Sequence, residues 1–208
     1  MLDTILDSPL SSWLQLDTDA TDHIVISSRI RLARNFDGVL FTNRNDMSSL
    51  EKVNSFSRSL LKPLKDVDGH QYSNINLEQL SERDRAILVE KHLMSPALEE
   101  KLPYRNLVVS DDASIVIMVN EEDHLRIQSM VSGLRLEVAY ERVLKIDKAI
   151  EAKYPYAFDE RFGYLTACPT NVGTGLRASV MLHLPALTIS GKITRLIRSI
   201  IQLGYSVR

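Results

Sequence analysis

Alternation of apolar and polar residues predicts two strands that each carry arginine. Within residues 24–34 apolar side chains recur at every second position, and Arg29 and Arg31 lie on the opposite face. Residues 176–184 alternate in the same way and place Arg177 outward. The side chains expected to face inward in this second strand are Leu176, Ala178, Val180, Leu182 and Leu184.

Helical spacing and turn chemistry predict the remaining elements. Asp46 can cap a helix that Pro63 and the Asp68-Gly69 turn would end, and Ser81 with Asp84 forms a partial capping box. Apolar residues at helical spacing predict amphipathic helices over residues 136–152 and 186–203. Two β-branched runs, 107–109 and 115–119, predict a hairpin. This combination indicates an α+β fold, with an antiparallel sheet flanked by helices.

Composition narrows the class of protein. The chain has 208 residues, 44% of them apolar, and a net charge of -2, which predicts a globular chain with no direct nucleic-acid or membrane partner. No stretch approaches the roughly 20 apolar residues of a membrane-spanning helix. Cys168 is the only cysteine and the N-terminus does not resemble a signal peptide, so we expect a cytoplasmic location.

Three polar segments are candidates for chemistry. Two guanidinium groups on one strand face, those of Arg29 and Arg31, can grip a phosphate chain, although an exposed edge strand with solvated arginines gives the same pattern. Residues 120–126 form an acidic cluster that is either a solvated turn or a site. The loop 168–175 carries Cys168 and two glycines that permit close backbone approach.

The lone cysteine allows two interpretations. A buried and inert thiol is the usual one. The alternative is a nucleophile with His124 or His183 as its base, as in a cysteine-dependent hydrolase.

Residues 27–34, 120–126 and 168–180 together resemble the catalytic domain of the ATP:guanido phosphotransferase (phosphagen kinase) family. The resemblance covers about residues 24–208, which implies an N-terminal segment, 1–23, and a catalytic domain, 24–208, of the phosphagen kinase and glutamine synthetase-like fold. Within the family it is strongest to the bacterial protein arginine kinases. Family members continue beyond Arg208 into a Gly-rich loop, so we expect the chain to be a fragment or a shortened form, incomplete at its C-terminal end.

The resemblance also implies roles for individual residues. Glu122 matches the carboxylate that orients the acceptor guanidinium and takes its proton, Cys168 matches the reactive cysteine beside it, and His92 matches the histidine that stacks on adenine. ATP is the implied nucleotide, with magnesium held through ATP. The other implied nucleotide-binding residues are Ser27, Ser28, Arg29, Ile30, Arg31, Arg126, Arg177, Ala178, Ser179, Val180, Met181 and Arg208.

The implied activity is transfer of the ATP γ-phosphoryl group to arginine side chains of proteins. Small-molecule members of the family carry a helical domain before the Arg-x-Arg strand, and a strand beginning near residue 24 fits a site open to a protein. Implied partners are a heat-shock transcriptional repressor, proteins marked for the Clp ATPase-protease and a zinc-binding activator, and the resemblance allows a homodimer. The alternatives are a small-molecule guanidino kinase and an inactive nucleotide-binding adaptor.

Overall fold

The computed structural model describes residues 2–8, 12–14, 24–44 and 46–207. The helices are α1 (Leu2–Asp7), α2 (Met47–Ser59), α3 (Leu61–Asp68), α4 (Glu82–Glu90), α5 (Leu136–Lys153), α6 (Pro185–Ile189) and α7 (Ile193–Gln202). The strands are β1 (Val25–Arg34), β2 (Tyr72–Asn76), β3 (Asn106–Ser110), β4 (Ile115–Val119), β5 (Leu125–Ser132), β6 (Phe158–Asp159), β7 (Gly163–Tyr164) and β8 (Leu176–Leu182).

Six of the strands form one antiparallel sheet. Their order is β2-β3-β4-β5-β1-β8, so β1 lies between β5 and β8, while β6 and β7 form a separate hairpin. Helices pack on this sheet, and the predicted α+β class with an antiparallel sheet flanked by helices is confirmed. None of the described helices is long and apolar enough to cross a membrane.

One face of the sheet is covered by α2, α3 and α5. Ile30 and Leu32 of β1 and Ile127 of β5 pack in this core against Val143 and Ile146 of α5, all at most 3% exposed. Burying side chains of this size contributes about 1.5–3 kcal/mol each. This core therefore supports β1 on the face opposite to Arg29 and Arg31.

The other face is covered only in part. A second core joins Ile5 of α1, Trp13 and Leu88 of α4 to residues of β2, β3, β4 and β5, including Met118 and Met130. None of the described residues of β1 or β8 belongs to this second core. Their second face is left open beside the N-terminal residues and α4.

Most predicted helix starts are confirmed. The Asp46 carboxylate accepts a hydrogen bond from Ser49 N at 2.9 Å, and Ser81 and Asp84 form a reciprocal capping box. Pro63, however, does not end a helix: it lies in the first turn of α3, where its missing N–H is not needed. The predicted helix over 186–203 is broken into α6 and α7 at Gly191, whose φ is +71°.

The sheet also differs from the prediction. Strand β8 begins at Leu176 as expected but ends at Leu182, two residues early, because Leu184 caps α6. Leu176 and Leu182, predicted to face inward, are 39% and 44% exposed. The reason is that β8 is the last strand of the described sheet and α5 packs mainly on β1 and β5. Strands β2 and β5 were not predicted, although Leu125, Ile127 and Val131 alternate in the manner of a strand.

Candidate active site

Arginine side chains from three adjacent strands share the open face of the sheet. Arg31 of β1 pairs directly with Arg177 of β8, and Arg29 pairs with Ser179, with Arg29 Nε 3.3 Å from Ser179 Oγ. On the other side Arg31 pairs with Gln128 of β5, so Arg126 lies diagonally across from it. Directly opposed residues have Cβ atoms about 4.5–5.5 Å apart and diagonal ones about 7–8 Å. We call these four residues, Arg29, Arg31, Arg126 and Arg177, the arginine face.

Acidic neighbours orient Arg126. Its guanidinium lies 2.7 Å from Glu121 Oε2 and 3.7 Å from Glu122 Oε2. The side chain of Glu121 is 4% exposed, and its other oxygen accepts a hydrogen bond from Ser95 Oγ at 2.8 Å. A buried carboxylate held in this way fixes the direction of the cation beside it. Glu121 and Ser95 were not predicted as site residues, although Glu121 belongs to the acidic cluster noted in the sequence.

The geometry divides the other predicted nucleotide-binding residues into two groups. Ser27, Ser179 and Met181 lie on the same face as the arginines. Ser28, Ile30, Ala178 and Val180 lie on the opposite face because strand side chains alternate. Ser28 is fully buried and its hydroxyl donates to Gly133 O at 2.8 Å, so its side chain supports the strand and does not reach the open face. Arg208 lies outside the described residues.

A cleft of about 360 Å³ adjoins the arginine face. It is lined by Trp13, Leu14, Ile26, Glu90, Lys91, His92 and Met181. Partial burial, and then the charge of Arg29, lower the pKa of His92 below its ordinary 6.5, so the ring is neutral at pH 7. Gln128 Nε2 donates to His92 O at 2.9 Å and ties this wall to β5. A neutral ring in a cleft that also presents Trp13 and Met181 suits a flat heterocycle.

The two predicted catalytic residues lie on neighbouring loops. Glu122 follows β4, and its side chain is 45% exposed. Cys168 is half-buried, with Sγ 3.0 Å from Thr170 Oγ1. The loops meet because Ala167 N donates to Asp123 Oδ1 at 2.6 Å. Glu122 directly precedes Asp123 in the chain and Cys168 directly follows Ala167, so this hydrogen bond joins the backbone next to both predicted residues.

Neither predicted histidine can serve Cys168 as a base. His124 is fully buried: its Nδ1 accepts from Phe36 N at 3.0 Å and its Nε2 lies 2.9 Å from Leu40 O. Burial lowers the pKa of His124. His183 N donates to Ile24 O at the start of β1, whereas the loop that leads to Cys168 is bound at Leu165 O by Asn35, just after the end of β1. The two are thus anchored at opposite ends of a strand of ten residues, which is about 30 Å long. The cysteine-dependent hydrolase interpretation loses both candidate bases.

Close backbone approach requires glycine at two positions, Gly175 in the loop 168–175 and Gly163 in β7. The expectation for the loop is confirmed at Gly175, whereas a Cβ on Gly173 would meet only Phe162 O, at 3.8 Å. Gly175 has φ +61°, its carbonyl accepts from Ala33 N at 2.9 Å, and a Cβ there would lie 2.6 Å from Ala33 O. A Cβ on Gly163 would lie 2.6 Å from Gly173 O. Gly175 thus brings the start of β8, and Arg177 with it, against β1.

The open face of the antiparallel sheet carries clustered arginines beside a cleft, and guanidinium groups grouped in this way present the donors that match phosphate oxygens. The sequence pattern of the ATP:guanido phosphotransferase C-terminal catalytic domain matches residues 52–208, and the chain belongs to this family. The predicted family membership is confirmed, and ATP is a substrate of the family.

Curated relatives are protein-arginine kinases. That of Syntrophomonas wolfei is 46% identical over 95% of this chain and 55% of its own length. That of Halothermothrix orenii is 42% identical over 100% of this chain and 58% of its own length. The chain therefore spans little more than half the length of the curated relatives it matches.

Solved structures of similar fold are also kinases. The duplicated taurocyamine kinase of Schistosoma mansoni, with bound transition-state analogue components, matches with a TM-score of 0.70 at 29% identity, over 96% of this chain and 28% of that one. A lombricine kinase matches with a TM-score of 0.69 at 25% identity, over 94% of this chain and 56% of that one.

Proposed function

We propose that the chain is the catalytic part of a kinase that transfers the γ-phosphoryl group of ATP to arginine side chains of proteins. The observation that carries the proposal is the arginine face, with Glu122 at 3.7 Å from Arg126 and Cys168 on the neighbouring loop, in a chain 42–46% identical to protein-arginine kinases. The domain boundaries 1–23 and 24–208 remain a prediction, and α1 and Trp13 pack into the second core.

The arginine face would bind the phosphate chain and stabilise the charge that develops during transfer. Guanidinium groups keep their charge at any working pH and match phosphate oxygens with paired N–H donors. They are oriented by the sheet before the nucleotide arrives, which is the condition for electrostatic catalysis of phosphoryl transfer. Nitrogen donors bind phosphate oxygens and not a cation, so the arginine face fits magnesium carried by the nucleotide itself.

Glu122 would act on the acceptor. An arginine guanidinium is protonated and a poor nucleophile, so a carboxylate must remove a proton as the nitrogen attacks the γ-phosphorus. The N–P bond forms, the bond from phosphorus to the bridging oxygen of ADP breaks, and Glu122 takes the proton. Cys168, on the neighbouring loop, would contact the same guanidinium and fix its orientation.

The cleft beside the arginine face would hold the adenine. His92 and Met181 line it together with Trp13, and the depressed pKa of His92 favours the neutral ring that stacks on a base. Trp13 is the only tryptophan of the chain, so its fluorescence reports nucleotide binding directly.

Protein arginine is the proposed acceptor because the more similar relatives are protein-arginine kinases. By the same resemblance we propose a heat-shock transcriptional repressor and proteins marked for the Clp ATPase-protease as targets, a zinc-binding activator as partner, a homodimer as assembly and the bacterial cytoplasm as location. A small-molecule guanidino kinase is the second candidate, favoured by the structural match to taurocyamine and lombricine kinases.

The test is an acceptor panel. The 208-residue chain is incubated with magnesium ATP and, separately, with an unfolded arginine-containing protein, free arginine, taurocyamine or lombricine. The phosphorylated form of each acceptor, with the phosphoryl group on the guanidino nitrogen, is then sought by mass spectrometry without acid. We expect phosphorylation of the unfolded protein, loss of product with Glu122→Gln, and unchanged product with Glu137→Gln, an exposed carboxylate on α5.

Other outcomes separate the alternatives. Transfer to a free guanidino compound and none to protein would identify a small-molecule kinase. Quenching of Trp13 by ATP without transfer to any acceptor would identify an inactive nucleotide-binding adaptor.

A further inference from the structure

A buried polar network joins the end of β1 to both predicted catalytic loops. Asn35, immediately after β1, is 1% exposed, and Asp123 is 3% exposed. Asp123 Oδ1 accepts from Asn35 Nδ2 at 2.7 Å and from Ala167 N at 2.6 Å. We call Asn35, Asp123 and the Ala167 N–H the clamp.

Every polar group of the Asn35 carboxamide is used. Its Nδ2 donates to Asp123 and, at 3.1 Å, to Leu165 O, while its Oδ1 accepts from His124 N at 2.9 Å. One side chain therefore binds the backbone after Glu122 and the backbone before Cys168. No strand pairing joins these two loops among the described residues, and the clamp supplies hydrogen bonds that do join them.

The clamp holds the backbone next to each catalytic residue and leaves their side chains accessible. Thr42 Oγ1 donates to Glu122 O on one side, and the Asp123 side chain is anchored on the other. Glu122 itself is nearly half exposed. On the second loop, Ala167 N is fixed and the adjacent Cys168 thiol remains half-buried.

We propose that Asn35 and Asp123 are positioning residues that set the separation of the Glu122 carboxylate and the Cys168 thiol. Both residues are anchored at the end of β1. The positions of the two loops are therefore fixed relative to the strand that carries Arg29 and Arg31. A guanidinium between the two loops would then lie at a fixed distance from the phosphate on the arginine face, and alignment of this kind is a large part of phosphoryl-transfer catalysis.

The test compares Asp123→Ala with Asp123→Asn and with a matched control. Asparagine keeps the oxygen that accepts both hydrogen bonds, so it should restore what alanine removes. The control is Asn106→Ala, which deletes a fully buried carboxamide that, like that of Asn35, donates two hydrogen bonds from its nitrogen, in this case to Asn54 and Asn74. The readout is alkylation of the single cysteine, Cys168, by iodoacetamide, with amide exchange at Ala167 measured alongside.

We expect alkylation and exchange to be about tenfold faster in Asp123→Ala, because buried hydrogen bonds to a charged group are lost. Rates in Asp123→Asn and Asn106→Ala should stay within about twofold of the parent, since the loop bonds remain. Equal rates in Asp123→Ala and the parent, or equal acceleration by Asn106→Ala, would overturn the proposal. If Asp123→Ala does not fold, Asn35→Ala carries the same test with an expected increase of about threefold.

The catalytic consequence rests on the proposed function and is measured separately. In Asp123→Ala we expect kcat to fall about tenfold or more while the KM for ATP stays within about twofold, because the arginine face is untouched. A parent chain that transfers no phosphoryl group would refute the proposed function, and the alkylation rates would still decide whether the clamp holds the Cys168 loop.

Discussion

Replacing Gly175 with alanine should cost more stability than the same change at Gly38. Both residues have a left-handed backbone, with φ +61° and +64°, so both substitutions carry the same conformational cost of about 1–2 kcal/mol. They differ in surroundings. A Cβ at Gly38 has nothing within 4 Å, whereas at Gly175 it lies 2.6 Å from Ala33 O and 2.7 Å from Arg34 Nη1.

The difference between the two variants isolates the close approach of β8 to β1. Relieving such an overlap displaces backbone, which costs about 1–3 kcal/mol in a packed region. We therefore expect Gly38→Ala to lose about 1–2 kcal/mol and Gly175→Ala about 2–5 kcal/mol of unfolding free energy. Arg177, two residues further on, should shift with the backbone. We therefore expect ATP to bind more weakly to Gly175→Ala and with unchanged affinity to Gly38→Ala.

Urea unfolding of both variants, followed by circular dichroism, measures the two losses, and Trp13 fluorescence measures ATP affinity. Equal losses of stability in the two variants, with ATP affinity unchanged in both, would refute the view that Gly175 fixes the start of β8 against β1.

Two further predictions concern single charges. Arg126→Ala should lower kcat/KM by the equivalent of about 2–4 kcal/mol of transition-state stabilisation, measured by initial rates on an unfolded acceptor, and unchanged turnover would contradict a role on the phosphate. At His70 partial burial acts to lower the pKa, but the Asp111 hydrogen bond and the charges of Asp112 and Asp68 outweigh it and raise the pKa above 6.5. The stabilisation that His70 contributes is thus complete below the pKa of the unfolded state and is lost as pH rises through the pKa of the folded state. The decrease in Tm caused by His70→Gln should therefore be larger at about pH 5.5 than at about pH 8.5. A decrease in Tm that grows with pH would contradict a raised pKa.

The parts of the fold that could be predicted are those set by local chemistry. The strand carrying Arg29 and Arg31, the Asp46 cap and the Ser81 capping box depend on residues a few positions apart. Strand β5 was missed because it directly follows an acidic cluster that resembles a turn, even though its alternation is regular.

The site depends on pairings that sequence spacing does not determine. That Arg31 meets Arg177, and that Ala167 meets Asp123, follows from strand order and loop closure between distant segments. Family resemblance supplied the residues, and the register then separated the side chains that reach the open face from those, such as Ile30, that support it from behind.

The central claim is that one chemical step on this face moves a phosphoryl group from ATP to arginine. Phosphorus NMR of the chain with magnesium ATP and an unfolded protein acceptor follows every phosphorus species at once. We predict one phosphoarginine for each ADP formed, no accumulation of free phosphate at early times, and neither product with Glu122→Gln. ADP formation matched by free phosphate alone, or equal yields from the parent and Glu122→Gln, would contradict transfer to arginine with Glu122 as the base.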